Sequence, residues 1–299
     1  MRILISGASG LLGSAIRPAL AAAGHSSFAL VRRTPAENEV QWDPEHPLDS
    51  QQLDGFDAII HLAGKSISGL WTERFKREVR ASRVDGTRTL ATAAAESFRS
   101  TGRPNVFIAA SAIGYYGNRG DEVLTERSTP GSGFLAEVCQ EWENATRPAV
   151  EIGVRVVNLR IGVVLAKQGG ALQAMLPAFR FGLGGKIGDG RQFMSWVALD
   201  DLVGAFLFSL TTQNLHGPVN VVAPQPVRNA EFVQALATTL HRPAIFPLPA
   251  FIVRTLFGEM GESLLLASAR VQPAKLESAG YTFRYSELSA ALRAALSKS

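Results

Sequence analysis

Residues 3–13 read Ile-Leu-Ile-Ser-Gly-Ala-Ser-Gly-Leu-Leu-Gly, an apolar run followed by three evenly spaced glycines. A strand that turns directly into a helix presents unpaired N–H groups, and a pyrophosphate reaches them only where no side chain intervenes. We therefore predict a tight turn at Gly7, close approach of a phosphate at Gly10 and close helix packing at Gly13. A purely conformational glycine turn is the alternative. The same loop supplies the further predicted cofactor contacts Ser9, Leu11 and Leu12.

The end of the second predicted strand indicates which dinucleotide binds. NAD sites place an acidic residue about 20 residues beyond the glycines to hold the ribose 2′-hydroxyl, whereas NADP sites place arginine near the 2′-phosphate. This chain has Arg32 and Arg33 at that place, directly after Val31. Because guanidinium groups bind phosphate in a bidentate manner, the pair predicts NADP(H). A solvated strand end is the alternative interpretation.

Strand-like and helical patterns alternate through the first half of the chain, which is typical of a parallel sheet wound with helices. The predicted strands and helices are Ile3 to Ser6, Leu12 to Ala23, Phe28 to Val31, Ala58 to Leu62, Val79 to Ala95, Val106 to Ala109, Phe134 to Glu151 and Val154 to Arg160. We predict a Rossmann-type doubly wound α/β sheet over residues 1–166. Residues 167–299 form a smaller mixed α/β lobe, and a strand near 219–222 returns to the first lobe.

Composition excludes several classes of protein. Thirty Lys and Arg against 26 Asp and Glu leave a net charge of only +4, with acidic residues among the basic ones, so nucleic acid is not a predicted partner. The single cysteine, Cys139, excludes an intrachain disulfide, and the histidines lack metal-ligand spacing. No apolar stretch is long enough to span a membrane. We expect a cytoplasmic protein without a metal or a membrane partner.

Several further motifs carry a family resemblance. They are H-L-A-G at 61–64, S-R-V-D-G-T at 82–87, S-A-I-G-Y-Y-G at 111–117, N-L-R-I-G-V-V-L at 158–165 and S-W-V-A-L-D-D-L at 195–202. With the glycine loop, they resemble the extended short-chain dehydrogenase/reductase superfamily over the full chain. W-T-E-R-F-K-R-E-V, G-L-G-G-K-I-G-D-G-R-Q and the segment at 273–288 resemble its "epimerase family protein" subgroup. The resemblance implies NADP(H), with further cofactor contacts at Leu62, Ala63, Gly64, Arg83 and Arg160.

The catalytic residues that the resemblance implies are missing. Active members of the superfamily use a Ser or Thr and a Tyr-x-x-x-Lys pair, in which the lysine lowers the pKa of the tyrosine. Here the hydroxyl position falls on Ala112, and Phe134 and Val138 stand at the Tyr and Lys positions. We predict that Tyr115 or Tyr116 substitutes as the acid, with Ser111 and with help from Lys65 or Arg83. Stacking or packing of the two tyrosines is the alternative.

The segment from Met175 to Trp196 combines glycines with basic and aromatic residues. Such groups on a loop over the cofactor suit a phosphorylated or sugar-like substrate. The predicted substrate contacts are Lys65, Lys186, Arg191 and Trp196. Turns with solvent-facing charges are an equally weighted alternative.

Two functional hypotheses follow from these patterns. The first is an NADP(H)-dependent oxidoreductase or epimerase-like enzyme that acts on a small molecule. The second is a non-catalytic NADP(H)-binding sensor or partner protein, which the Phe134 and Val138 replacements favour. Superfamily members often dimerise through the helices that correspond to 79–95 and 134–151, so Phe134, Val138 and Trp142 belong either to a homodimer interface or to the core.

Overall fold

A computed structural model describes residues 1–44 and 46–297 of the chain. Its centre is a seven-stranded sheet. The strands are β1 (Arg2–Ser6), β2 (Ser26–Val31), β3 (Glu39–Gln41), β4 (Ala58–His61), β5 (Val106–Ala112), β7 (Arg155–Ile161) and β11 (Gly217–Val221). Their order in the sheet is β11-β7-β5-β4-β1-β2-β3, and all six neighbouring pairs are parallel.

Helices connect these strands and continue into the C-terminal part of the chain. They are α1 (Leu11–Ala22), α2 (Glu73–Thr101), α3 (Phe134–Asn144), α4 (Arg147–Glu151), α5 (Gly170–Arg180), α6 (Leu199–Thr211), α7 (Asn229–Leu240), α8 (Ala250–Gly261), α9 (Ala274–Ser278) and α10 (Leu288–Ser297). Within the ranges described, no helix combines the length and the apolar character that crossing a bilayer requires.

The central strands are short apolar runs because helices cover both faces of the sheet. One face packs with α1 and α6 around Ile5, Ile108 and Phe206, all 0% exposed. The other face packs with α2 and α4 around Leu4 and Phe107. The predicted doubly wound parallel sheet is confirmed, and the strand Gly217–Val221 lies at its edge beside β7.

Outside the central sheet, the described residues form three two-stranded ladders. They pair β8 (Val163–Leu165) with β10 (Trp196–Ala198), β9 (Phe193–Met194) with β12 (Val227–Arg228), and β6 (Val123–Leu124) with β13 (Arg270–Val271). A separate apolar core forms between α5, α7 and α10.

One predicted helix is wrong in its extent. The segment from Phe134 to Glu151 is two helices, α3 and α4, rather than one. Pro148 lies in the first turn of α4, where a backbone N–H would have no partner within the helix. In the interior of one long helix, the missing N–H of Pro148 would break the hydrogen-bond pattern, so α3 ends before it. The Thr146 hydroxyl donates to the Glu143 carbonyl at 2.7 Å and satisfies the end of α3.

Candidate functional site

The glycine loop lies where the strand order of the sheet reverses. β1 pairs with β2 on one side and with β4 on the other, so chain connections leave it in opposite directions. Ligands of open α/β sheets bind in the crevice at such a point. Gly7 ends β1 with φ +69°, and a Cβ there would lie 2.9 Å from the Ala63 nitrogen. Only glycine therefore allows this turn to pass so close to the loop after β4.

Gly13 and Gly10 have different surroundings. A Cβ at Gly13 would lie 2.4 Å from the Gly7 carbonyl oxygen, so Gly13 lets α1 pack on the turn. A Cβ at Gly10 would meet only the same oxygen, at 3.4 Å, and would otherwise point into open space. Within the described chain, no side chain caps α1. The first turn of the helix therefore presents its N–H groups to that open space.

The other loop residues predicted to contact a cofactor flank the same space. Ser9 is exposed, while Leu11 and Leu12 are half-buried. The Leu11 side chain lies against the backbone of Gly169, where a Cβ would be 3.1 Å from it. The start of α5 therefore borders the glycine loop.

A buried hydrogen-bond network fixes the floor of this crevice. The Ser6 hydroxyl accepts from the backbone N–H groups of Leu62 and Ala63 at 3.1 and 3.2 Å, and it lies 2.6 Å from Nδ1 of His61. Burial lowers the pKa of His61 to about 4, so the ring is neutral. His61 is a structural residue that joins β4 to β1.

Arg32 and Arg33 both follow β2 but differ in their partners. Arg33 forms a bidentate ion pair with Glu39 of β3, with both N···O distances 2.7 Å. Hydrogen bonds from the Ala36 N–H and from Arg33 lower the pKa of Glu39. Arg32 is exposed and forms no ion pair with any residue in the described ranges. Of the two guanidinium groups, Arg32 is the one that is free to bind an anion.

The loop after β4 is held by Arg83 of α2. Arg83 is half-buried, which lowers its pKa, and its Nη1 donates to the carbonyl of Lys65 at 2.9 Å. Gly64 is exposed, and a Cβ there would lie 3.5 Å from the Arg83 guanidinium carbon. Lys65 itself is exposed and ion-paired with Glu78. Arg83 therefore holds the loop that carries the predicted cofactor contacts Leu62, Ala63 and Gly64.

The prediction that Tyr116 acts as an acid is corrected by its surroundings. Tyr116 is 0% exposed, and its hydroxyl lies 2.7 Å from Asn220 Oδ1 and 3.0 Å from the Thr125 carbonyl. It also accepts from Arg160 at 3.0 Å. Burial raises the pKa of Tyr116 to about 12. A hydroxyl enclosed by these partners has no path to a substrate in the crevice.

Ser111 and Arg160 meet in the same interior network. Arg160, 2% exposed, forms a two-pronged ion pair with Glu143 at 2.7 and 2.8 Å. The Ser111 hydroxyl donates to the same carboxylate at 2.7 Å. The predicted cofactor contact of Arg160 is therefore corrected, because its guanidinium is used inside the protein. Ser111 is 3% exposed and presents no free hydroxyl to the crevice.

Tyr115 lies between that network and the surface. The Arg160 guanidinium carbon is 3.4 Å from the centre of the Tyr115 ring, which makes a cation–π contact. The ring is half-buried, and its hydroxyl makes no hydrogen bond within the described part of the chain. Of the three residues predicted to be catalytic, Tyr115 alone keeps an unused hydroxyl.

Phe134 and Val138 stand where the resemblance expects tyrosine and lysine. Phe134 begins α3 and packs edge to face on Trp71, with ring centres 5.3 Å apart. The Lys76 ammonium lies 5.6 Å from the same ring, while Val138 is 2% exposed. Neither position carries a group that titrates, so the usual acid and its lysine are absent from α3.

The residues predicted to bind substrate do not share one environment. Trp196 is 0% exposed, and its indole N–H donates to the Gln225 carbonyl at 3.1 Å. The prediction that Trp196 contacts the substrate is therefore corrected. Trp196 belongs to the core between α5 and α7. Lys186 and Arg191 are exposed on the loop before β9. Among the residues that the structure describes, no three or more metal-ligand side chains form a cluster.

Sequence reasoning missed Glu143 and Asn220, which organise the interior network. The available signal was Arg160 itself. A charged residue within the apolar run N-L-R-I-G-V-V-L requires a buried partner. The identity of that partner depends on the packing of α3 against β7, which no local pattern indicates.

Comparison with known proteins gives the family. The model of the NAD dependent epimerase/dehydratase family matches residues 3–223. The chain belongs to this family, and the resemblance seen in its motifs is confirmed. A second model, described as a domain of unknown function (DUF1731), matches residues 248–295.

The similar proteins are named epimerase family proteins. ML0860 of Mycobacterium leprae is 44% identical over 97% of this chain and 94% of its own length. YfhF of Bacillus subtilis is 35% identical over 98% of this chain and 97% of its own. The crystal structure of human SDR39U1 (isoform 2), solved with NADPH, superimposes with a TM-score of 0.91 at 34% identity and 100% coverage of both chains.

Proposed function

We propose that the chain binds NADP(H) at the β1–α1 turn and transfers hydride to or from a small sugar-like or phosphorylated molecule. The observation that carries the proposal is the open space at Gly10, bordered by the uncapped start of α1 at the reversal of strand order. The human relative crystallised with NADPH supports the choice of cofactor.

The residues present fit a dinucleotide. Glycine at positions 7 and 13 lets the turn and α1 pack closely on the backbone, and the open space at Gly10 leaves room for an anion at the start of α1. Arg32 would hold the 2′-phosphate from the end of β2, and the backbone of Leu62 to Gly64 would line the other side. When bound, NADPH would donate the hydride to the substrate, or NADP+ would accept it from the substrate. The chain would hold the cofactor in place, and Gly10 would keep the space for its pyrophosphate free of side chains.

Tyr115 is the residue we propose as the acid. Its hydroxyl makes no hydrogen bond within the described part of the chain, and the Arg160 guanidinium packs on its ring, which fixes the position of the phenol. Glu143 positions Arg160 and is therefore a positioning residue. Lys65 and Arg191, both exposed, are proposed contacts for an anionic substrate group.

A non-catalytic NADP(H)-binding protein is the second candidate. It is favoured by the packing of Phe134 on Trp71, which places two apolar rings where the superfamily has a tyrosine hydroxyl. In that case a partner protein would recognise the cofactor-bound crevice, and no substrate would react there. A cytoplasmic location, a homodimer through α2 and α3 and a lobe boundary at residue 166 also remain proposals.

Replacing Arg32 with Ala is expected to weaken NADPH binding by roughly 10- to 100-fold, because charge-assisted hydrogen bonds to the 2′-phosphate are lost. Arg33→Ala is expected to weaken it less, because Arg33 is already held by Glu39. Isothermal titration of both variants with NADPH and NADH measures the difference.

NADH affinity is the internal control, since NADH lacks the 2′-phosphate. It should change less than about threefold in either variant. An equal loss of NADPH and NADH affinity in Arg32→Ala would show that Arg32 supports the fold or the adenosine rather than the 2′-phosphate.

Tyr115→Phe is expected to reduce turnover by at least roughly 100-fold while NADPH affinity is unchanged, because only the proton donor is removed. The measurement is oxidation of NADPH with a panel of phosphorylated aldoses and ketoses, read by its absorbance. Trp71→Phe keeps an aromatic ring near Phe134 and serves as the control. If Tyr115→Phe turns over as fast as the parent chain, Tyr115 is not the acid. If neither protein turns over any substrate, the non-catalytic candidate stands.

A further inference from the structure

Two neighbouring segments of the C-terminal lobe expose large apolar side chains. Residues 181–187 and 243–248, called here the paired loops, run side by side through an antiparallel bridge between Leu183 and Ala244. The Phe246 N–H donates to the Gly184 carbonyl at 3.1 Å. The exposed fractions are 81% for Phe181, 59% for Leu183, 72% for Ile245 and 54% for Phe246.

The backbone under these side chains is well anchored. The Leu183 N–H donates to the Ala178 carbonyl at 2.9 Å, and a Cβ at Gly184 would lie 2.7 Å from the buried ring of Phe179. One side of the paired loops therefore packs on the core of the lobe, and the other side holds its apolar side chains in solvent. Exposed apolar side chains grouped in this way indicate an interaction surface.

The charged side chains of the paired loops and of the adjoining sequence are basic, as far as Asp189 after the first loop and Glu231 and Glu259 on either side of the second. Residues 176–188 and 234–258 contain no Asp or Glu. Arg242 donates from Nε to the Arg180 carbonyl at 3.1 Å, which places its guanidinium beside the loops without neutralising it. Lys186, His241 and Arg242 also line a groove of about 720 Å³ that Ile245 borders. The surface is thus apolar at its centre and basic at its rim.

We propose that the paired loops bind the surface of an anionic membrane. The apolar side chains would enter the boundary between headgroups and acyl chains, while the basic rim contacts lipid phosphates. A lipid surface is favoured over a protein partner by charge complementarity, because the basic residues Lys186 and Arg242 beside the apolar side chains match the phosphates of anionic headgroups. Binding to the membrane surface requires no membrane-spanning helix, and none is found in the described residues. The proposal departs from the sequence analysis, which predicted no membrane partner.

The test uses the full chain and sedimentation with vesicles. Vesicles of phosphatidylcholine with about one third phosphatidylglycerol should bind the chain at least roughly tenfold more strongly than phosphatidylcholine alone. High salt should remove most of this difference. Equal binding to both vesicles, or no binding to either, would overturn the proposal.

Variants separate the two contributions. The pair Phe181→Ser and Ile245→Ser is expected to abolish vesicle binding, and the pair Arg180→Gln and Arg242→Gln to weaken it by roughly tenfold. Val150→Ser is the matched control, because Val150 is 52% exposed on α4, outside the paired loops. Thermal unfolding and NADPH affinity confirm that each variant is folded. A dimer that Phe181→Ser disrupts, without vesicle binding by the parent chain, would assign the surface to a second copy and overturn the membrane proposal.

Discussion

Gly10→Val is expected to abolish NADPH binding and leave the fold intact. The backbone at Gly10 has φ −76° and ψ 175°, which valine adopts readily, and the added Cβ would lie 3.4 Å from its nearest neighbour. The valine methyl groups would fill the space over the first N–H groups of α1, where the pyrophosphate is proposed to lie. Losing several charge-assisted hydrogen bonds predicts a rise in Kd of more than roughly 100-fold for NADPH and NADH alike.

The same substitution three residues later gives the matched control. A Cβ at Gly13 would lie 2.4 Å from the Gly7 oxygen and 2.6 Å from the Ala8 Cα, both of them backbone atoms. Gly13→Val is therefore expected to unfold or strongly destabilise the chain, with a large fall in Tm, whereas Gly10→Val keeps the parental Tm. Unchanged NADPH affinity in Gly10→Val would place the cofactor somewhere other than the β1–α1 turn.

Glu143→Ala is expected to lower the free energy of unfolding by about 3–5 kcal/mol, because it leaves the buried Arg160 charge without its partner. Denaturant titration measures the change. Glu151→Ala is the control, since Glu151 forms its ion pair with Arg147 on the surface, with 59% and 76% of the side chains exposed. That pair should contribute less than about 1 kcal/mol.

A double variant separates an unpaired charge from a lost side chain. Glu143→Ala combined with Arg160→Met removes both charges and should recover part of the stability lost in Glu143→Ala. A double variant that is less stable than the single one would mean that Arg160 stabilises the fold mainly through Tyr115 and Tyr116, on whose rings it packs.

The sheet and the glycine loop could be predicted because their signals are local. A buried parallel strand is a short apolar run, and the turn from β1 to α1 requires glycine at Gly7 and Gly13 within one stretch of chain. The parallel direction of the strands followed from their alternation with helices. The family resemblance rested on residue identities, so it did not depend on the predicted bounds of α2, which is longer by six residues at each end, or of β5, which is longer by three residues.

The positions of several site side chains could not be predicted because they depend on distant residues. Tyr115 and Tyr116 are adjacent in sequence, yet Asn220 of β11 encloses only the second hydroxyl. Arg33 differs from Arg32 because Glu39 lies on the neighbouring strand β3. Sequence periodicity does not indicate these pairings, since each joins two elements that meet only in the folded chain.

The return of β11 to the sheet makes the two parts of the chain depend on each other. β11 covers the outer edge of β7 with five parallel residue pairs, although it comes after α5 and α6. A fragment that stops near residue 166 would therefore leave unpaired those N–H and C=O groups of β7 that face β11, while the pairing of β7 with β5 would remain, and an open strand edge is a template for aggregation. β11 therefore protects the sheet from self-association between chains. We expect a chain shortened to residues 1–166 to aggregate through the open edge of β7, even though its glycine loop is intact.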